Sequence, residues 1–147
     1  MKCIRFVSII IVVLMMSLTC FGSEKLSYND EIKVYINNNE INLDMYPFIE
    51  DNRTMVPMRG IFEALDADVD WDENNQTVIA TKNNITISVT INSDIMIKNK
   101  ESIKLDVPAR LVDDCRTYVP LRAVSEALGC MVRWDDEYSI VDIIDDS

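Results

Sequence analysis

The sequence predicts an α+β fold, in which a duplicated unit of a small antiparallel sheet packs on one short helix. One observation is that two segments match when the chain is shifted by 63 residues. The other is that, within each segment, stretches of alternating apolar and polar residues surround one short stretch with helical spacing. The composition, 48% apolar and 27% charged over 147 residues, is typical of a globular chain.

The repeat is recognised by a string that reads Arg-Thr-x-Val-Pro-x-Arg in both copies. Residues 53–59 carry the first string and residues 116–122 carry the second. The match continues through Glu-Ala-Leu at 63–65 and 126–128, Val-x-Trp at 69–71 and 132–134, and Ile-x-Leu-Asp at 41–44 and 103–106. A period near 60 is too long for the common solenoids. We therefore expect two repeats, at about 31–92 and 93–147.

Three hairpins are predicted from alternation and from turn residues. The first joins residues 32–36 to 41–43 through Asn37, Asn38 and Asn39. The second joins residues 77–81 to 85–91, and the third, which opens the second copy, joins 95–97 to 102–105.

A short strand followed directly by a helix forms the centre of each copy. Pro57 and Pro120 suit the first helical position, because their fixed φ fits there and their missing N–H would have been unpaired. Apolar side chains then fall on one helical face, at Met58, Ile61, Phe62 and Leu65 in the first copy and at Leu121, Val124 and Leu128 in the second.

The two predicted helices end differently. The second stops at Gly129, which favours the left-handed conformation that often follows a helix. Its counterpart is Asp66, which tolerates that conformation less well. A strand follows each helix, and we expect Val69 and Trp71 to point inward there.

The recurring arginines and tryptophans are the candidate structural residues. Arg53, Arg59, Arg116 and Arg122 occupy matched positions, which indicates a structural role in each unit, with anion binding as the alternative. Glu63 and Glu126 lie four residues after Arg59 and Arg122, a spacing that favours ion pairs. Trp71 and Trp134 each follow a valine by two positions, which predicts core residues, with sugar stacking as the alternative.

An acidic run, Asp66-x-Asp68-x-Asp70-x-Asp72, precedes Glu73. An EF-hand loop needs glycine at its sixth position and glutamate at its twelfth, and here these are Trp71 and Thr77. A solvated face is therefore expected, with a weak Ca²⁺ site as the alternative, and no metal site is predicted.

The N-terminal segment has the character of a secretory signal. Lys2 and Arg5 precede an almost unbroken apolar run, and small residues follow it. We expect residues 1–22 to be removed before Ser23, leaving residues 23–147 as a secreted or cell-envelope protein. Lipidation of Cys20 and an uncleaved anchor are the alternatives, although the apolar stretch is short for a membrane span.

Two cysteines, Cys115 and Cys130, remain after the predicted cleavage. If the helix folds back along the preceding strand, it brings the two close together, and export then favours a disulfide. The alternative is that both thiols are small buried hydrophobic groups.

Composition excludes several classes of function. The chain contains no histidine, which excludes Ser-His-Asp and Cys-His nucleophilic sites and every imidazole-bound zinc or copper site. Its net charge is −11, and −13 without residues 1–22, so phosphate backbones and anionic lipids would be repelled. The sequence therefore predicts no catalytic residues, with paired carboxylates for glycoside hydrolysis as the alternative. It also predicts no cofactor, no nucleic-acid partner and no membrane contact beyond the signal segment.

The repeated string, continued by Glu-Ala-Leu-Gly and Val-x-Trp-Asp, resembles the N-terminal domain of copper amine oxidases, the stalk domain family. The resemblance covers both copies, residues 32–144, and departs from the family at Asp66, Asn52 and Cys115, where glycine is usual. It implies an appendage remote from copper. The oxidase chemistry itself needs three histidines and a tyrosine within Asn-Tyr-Asp/Glu, and the chain has neither.

The resemblance also implies a setting, because similar domains occur in exported bacterial proteins, often as tandem copies beside cell-wall-acting modules. We therefore expect a non-catalytic exported module that mediates protein or cell-envelope contacts. The alternative is a module that binds cell-wall glycan. The expected partner is a protein or a cell-wall polymer that the sequence does not identify.

Overall fold

The computed structural model describes residues 31–113 and 116–147, which form thirteen strands and two helices. The strands are β1 (Lys33–Ile36), β2 (Asn39–Glu40), β3 (Phe48–Glu50), β4 (Arg53–Pro57), β5 (Asp68–Asp72), β6 (Thr77–Lys82), β7 (Ile85–Thr90), β8 (Ile95–Lys98), β9 (Glu101–Lys104), β10 (Arg110–Val112), β11 (Arg116–Pro120), β12 (Met131–Asp135) and β13 (Ile140–Ile144). The helices are α1 (Met58–Ala64) and α2 (Leu121–Ala127). The mixed α and β content agrees with the predicted class. Neither helix has the length and apolar character needed to cross a membrane.

A central sheet, in the order β10-β11-β4-β3, joins the two matched segments. Strands β4 and β11 run antiparallel, and Val56 pairs with Val119, the residue 63 positions later. Met55 pairs with Pro120 and Pro57 with Tyr118. The register therefore relates the two segments by an approximate two-fold axis that passes between Val56 and Val119.

Two further sheets flank the centre. The first has five antiparallel strands in the order β5-β6-β7-β8-β9. The second, in the order β12-β13-β1-β2, takes two strands from each end of the described chain. Here β1 and β13 run parallel, so the expectation of wholly antiparallel sheets is wrong at this pairing. The reason is that no hairpin joins these strands, and their relative direction is set by the whole fold between them.

The hairpins follow the sequence prediction in kind, with small shifts in their ends. Asn37 and Asn38 form the turn between β1 and β2, with φ of 49° and 65°. Two-residue turns with positive φ match the twist of hairpin strands, which is why asparagine is favoured there. The returning strand consequently begins at Asn39, two residues before the predicted start at 41.

The helices begin and end as the motif predicts, within one residue. Pro57 and Pro120 are the residues immediately before the helices, with φ of −63° and −64°, and not the first helical residues. Asp66 has a φ of +57° and Gly129 a φ of +93°, which confirms the left-handed position after both helices. Ala67 N–H donates to the Phe62 carbonyl at 2.9 Å, and the equivalent bond follows α2, so both helices end in a Schellman motif.

The main core lies between the helices and the sheets. It includes Phe62 and Leu65 of the first motif and Val124 and Leu128 of the second in one continuous cluster. The C-terminal end is tied to this body by Asp145, which lies 2.5 Å from Lys82 Nζ in a largely buried ion pair. Asp145 also exchanges two backbone–side-chain hydrogen bonds of 2.9 Å with Asn37.

Candidate binding grooves

Two grooves with matched linings lie on the surface, one beside each helix. The first groove has a volume of about 800 Å³ and the second about 590 Å³. We define the first groove by Asp44, Arg59, Glu63, Trp71, Leu111 and Arg116, and the second by Asp106, Arg122, Glu126, Trp134, Ile49 and Arg53. Each member of one set is the counterpart of a member of the other, in the order given.

Each groove is assembled from both halves of the chain, and ion pairs cross between them. Arg53 donates to the Asp106 carboxylate from Nε at 2.8 Å, and Arg116 Nε donates to Asp44 at 2.8 Å. The two pairs are reciprocal, because the arginine of each matched segment contacts the aspartate that precedes the other segment. The four side chains are 44% to 66% exposed, so each pair contributes about 0–1 kcal/mol. They join the two halves of the chain along one wall of each groove.

The two tryptophans are surface residues, so their prediction as core residues is wrong. Trp71 is 43% exposed and Trp134 is 37% exposed. Both lie on edge strands, β5 and β12, where a seven-residue helix covers the neighbouring valine only in part. The indole ring therefore forms an open side of each groove. In the second groove the Trp134 Nε1–H donates to Asp136 at 2.5 Å, which orients that ring.

The helical arginines do not form the ion pairs that their spacing suggested. Arg59 and Arg122 are exposed, and no carboxylate among the described residues lies within ion-pairing distance of either. Glu63 and Glu126 are exposed as well. Each groove therefore presents a guanidinium and a carboxylate that have no ion-pair partner within the part of the chain described.

The grooves are nearly neutral although the chain is strongly acidic. Three carboxylates and two guanidinium groups line the first groove, and three carboxylates and three cationic groups line the second. The whole chain carries a net charge of −11. Negative charge is thus concentrated elsewhere on the surface.

The acidic run shapes local turns. The Asp72 carboxylate accepts bonds from Asn75 Nδ2 at 2.7 Å and from the backbone N–H groups of Asn74 and Asn75. These hydrogen bonds, led by the Asn75 side chain, lower the pKa of Asp72. Across residues 31–113 and 116–147, no three His, Cys, Asp or Glu side chains are grouped to hold a metal ion.

Cys130 is buried in the core, where burial first, and then the nearby Asp145 carboxylate, raise the pKa of its thiol to about 11. The thiol is therefore protonated at neutral pH and is not a nucleophile.

Cys115 and residues 1–22 lie outside the described residues. The disulfide and the signal segment accordingly stay predictions.

Sequence reasoning missed four residues of the grooves: Asp44, Asp106, Ile49 and Leu111. Ile49 and Leu111 are 52% and 39% exposed, on the three-residue strands β3 and β10. Such short strands carry almost no alternation. The matched Ile-x-Leu-Asp segments that precede them held a usable signal, because they placed Asp44 and Asp106 at equivalent positions.

Comparison with models of protein families gives a match. The family model described as copper amine oxidase N-terminal domain matches residues 35–143, which include both strings and all twelve residues that define the grooves. A search of curated proteins found no match. Because the match covers well over half of the residues of the chain, the chain belongs to the copper amine oxidase N-terminal domain family.

Proposed function

We propose that this chain is a non-catalytic, exported module that uses two equivalent grooves to contact proteins or the cell envelope. One observation carries the proposal, namely that two open grooves are each defined by six residues, and the six of one groove are the counterparts of the six of the other. The same surface feature arises at two matched positions, and both halves of the chain contribute to each. Chance variation in the loops does not explain such a match.

The proposal includes that the chain consists of two copies of one unit. The pairing of Val56 with Val119 supports this, because it joins residues that occupy the same place in the two strings. The reciprocal pairs Arg53–Asp106 and Arg116–Asp44 support it as well. The matched Schellman motifs extend the equivalence to the helix ends.

A non-catalytic role is supported by the kind of domain matched and by the chemistry of the grooves. The matched domain is the N-terminal module of its family, which is not the catalytic part. The chain has no histidine, and the thiol of Cys130 is both buried and protonated. Neither groove therefore holds a nucleophile and base pair of the familiar kind.

Export and an envelope partner are supported by the sequence of the N-terminal segment, with its basic residues followed by an apolar run. The exposed tryptophans in both grooves favour one second candidate, binding of cell-wall glycan.

A sedimentation assay tests the proposal. Purified residues 23–147 are mixed with bacterial cell wall, either intact or stripped of protein, and the bound fraction is measured. We expect retention by intact wall, with a marked loss in a Trp71→Ala, Trp134→Ala double variant. Tyr138→Ala is the matched control, because Tyr138 is 63% exposed but lines neither groove. Recovery of the unaltered protein in the unbound fraction with both wall preparations would contradict the proposal.

A further inference from the structure

We propose that each groove is a saccharide-binding site, in which the indole of Trp71 or Trp134 stacks against a pyranose ring of a neutral glycan. The inference rests on the proposed function, since it names the ligand of the same grooves. It also predicts two equivalent sites on one chain.

The tryptophans supply the stacking surface. An indole is flat, apolar on its faces and polar only at its N–H, so a half-exposed one offers a platform to a ring with C–H groups on one face. In the second groove the bond from Trp134 to Asp136 holds that platform in place before a ligand arrives. A fixed platform lowers the entropy cost of binding.

The helix supplies polar groups at the rim of each platform. Arg59 and Glu63 line the first groove, and Arg122 and Glu126 line the second. Neither arginine is held by a carboxylate among the residues described. A guanidinium offers several donors in one plane and a carboxylate offers acceptors only, and together they match hydroxyl groups, which both donate and accept.

The charge balance selects a neutral ligand. An anionic polymer would be repelled by a chain of net charge −11. A basic peptide would be drawn to the acidic surface outside the grooves, where the negative charge is concentrated. The nearly balanced grooves instead suit a ligand that is polar but uncharged, and their volumes fall in the range of small-ligand clefts.

Two sites on one chain have a consequence for polymer binding. A polymer that occupies both grooves gains from the effective concentration of the second site, whereas a short oligosaccharide does not. Substitution of one tryptophan should therefore weaken the binding of a polymer strongly. It should weaken the binding of an oligosaccharide to the remaining groove by less.

The chain's two tryptophans give a direct test, because each groove contains one. Protein labelled with ¹⁵N should show two indole N–H signals. Titration with the N-acetylglucosamine tetramer and with cellotetraose is expected to shift both signals with at least one of these sugars. Calorimetry should give two sites for that sugar, and Trp71→Ala or Trp134→Ala should each leave one. The double variant should lose about ten-fold or more in affinity, whereas Tyr138→Ala should bind like the unaltered chain.

Several outcomes would overturn the inference. One is the absence of any indole shift at sugar concentrations on the order of 10 mM. Another is sugar binding that survives the double substitution. The third is a response of the indole signals to peptides but not to sugars. Thermal unfolding of each variant separates lost binding from lost folding. If the chain sediments with intact cell wall but no sugar shifts an indole signal, the saccharide inference fails while the proposed function stands.

Discussion

At the scale of single residues, the internal repeat was the best predictor of backbone conformation. Gly129 predicted that Asp66 would be left-handed, and both have positive φ. Exposure was harder to predict, because it depends on what the rest of the fold lays over a side chain. Trp71 and Trp134 alternate like core residues, yet short helices leave them open.

Asp66→Gly should raise the free energy of unfolding by about 1 kcal/mol, since left-handed geometry costs a non-glycine residue about that much. Differential scanning calorimetry should show a melting temperature that is a few degrees higher. Gly129→Ala is the reverse control. A Cβ built at Gly129 meets no atom within 4 Å, so its expected loss of stability comes from the backbone alone. An unchanged or lower melting temperature for Asp66→Gly would contradict the prediction.

The thiol of Cys130 should react slowly in the folded protein. Its pKa of about 11 leaves it protonated at pH 8, and its side chain is buried. In a Cys115→Ser variant, maleimide labelling should be far slower in buffer than in denaturant. The folded pKa lies above the unfolded value, so this group's contribution to stability is complete below about pH 8.5 and declines as the pH rises toward 11. Equal labelling rates in both conditions would refute this prediction.

The predicted disulfide is tested by a separate labelling experiment on the unaltered chain. Denatured but unreduced residues 23–147 should show no reactive thiol if Cys115 and Cys130 are bonded. Two reactive thiols per chain would mean that both cysteines are unpaired.

At the scale of elements, sequence reasoning succeeded where the signal was local. The strand, proline and helix of each motif were predicted because one run of residues holds the alternation, the turn and the apolar face. Strands β3 and β10 were not predicted, since three residues become a strand only through their pairing with β4 and β11. The parallel pairing of β1 and β13 joins residues more than 100 positions apart, and no local pattern encodes it.

The ion pair between Lys82 and Asp145 should be the most sensitive polar contact between elements. Their side chains are 7% and 12% exposed, so Lys82→Met leaves a nearly buried carboxylate without its cation. The expected loss is about 3 kcal/mol in urea denaturation. Lys33→Met is the matched control, because Lys33 and Glu40 are 3.8 Å apart and about half exposed. Its expected effect is within about 0.5 kcal/mol.

The same pair predicts a response to acid. Burial by itself raises the pKa of Asp145, but hydrogen bonds from Lys82 and Ser147 outweigh it and leave the pKa below its ordinary value. A lowered folded pKa means that this stability is complete above about pH 4 and declines as the pH falls below it. Lys82→Met should therefore lose less stability than the unaltered chain between pH 5 and pH 3. An equal loss would show that Lys82 does not control Asp145.

At the scale of the whole molecule, two of the sheets cross the boundary that the sequence predicts between two repeats. The five-stranded sheet crosses residues 92 and 93, and the sheet of β1 and β13 takes strands from both ends. The sequence predicted the repeats from local similarity, but which strands would share a sheet depends on long-range pairing. Long-range pairing also explains why the grooves were not predicted, because residues from both halves of the chain line each groove.

Neither half should therefore fold alone. Residues 31–92 lack β13, one of the two partners of β1, and residues 93–147 lack β7 and β4, which each supply one of the two partners of β8 and β11. Circular dichroism should show two separate halves without a cooperative unfolding transition, and mixing them should restore one. A cooperative transition in either isolated half would contradict this expectation.

The parallel pairing of β1 with β13 has a mechanical consequence. Lys33 lies opposite Ile140 and Ile36 opposite Ile143, so the chain enters this pair at one end and leaves it at the other. A pull on the two termini slides the strands along each other and loads their hydrogen bonds together, whereas a hairpin pulled at its open end separates one bond at a time. In single-molecule pulling, attachment at the termini should require a higher unfolding force than attachment at residues 77 and 90, the open end of the β6–β7 hairpin. The parallel pairing thus predicts resistance to tension applied at the two termini.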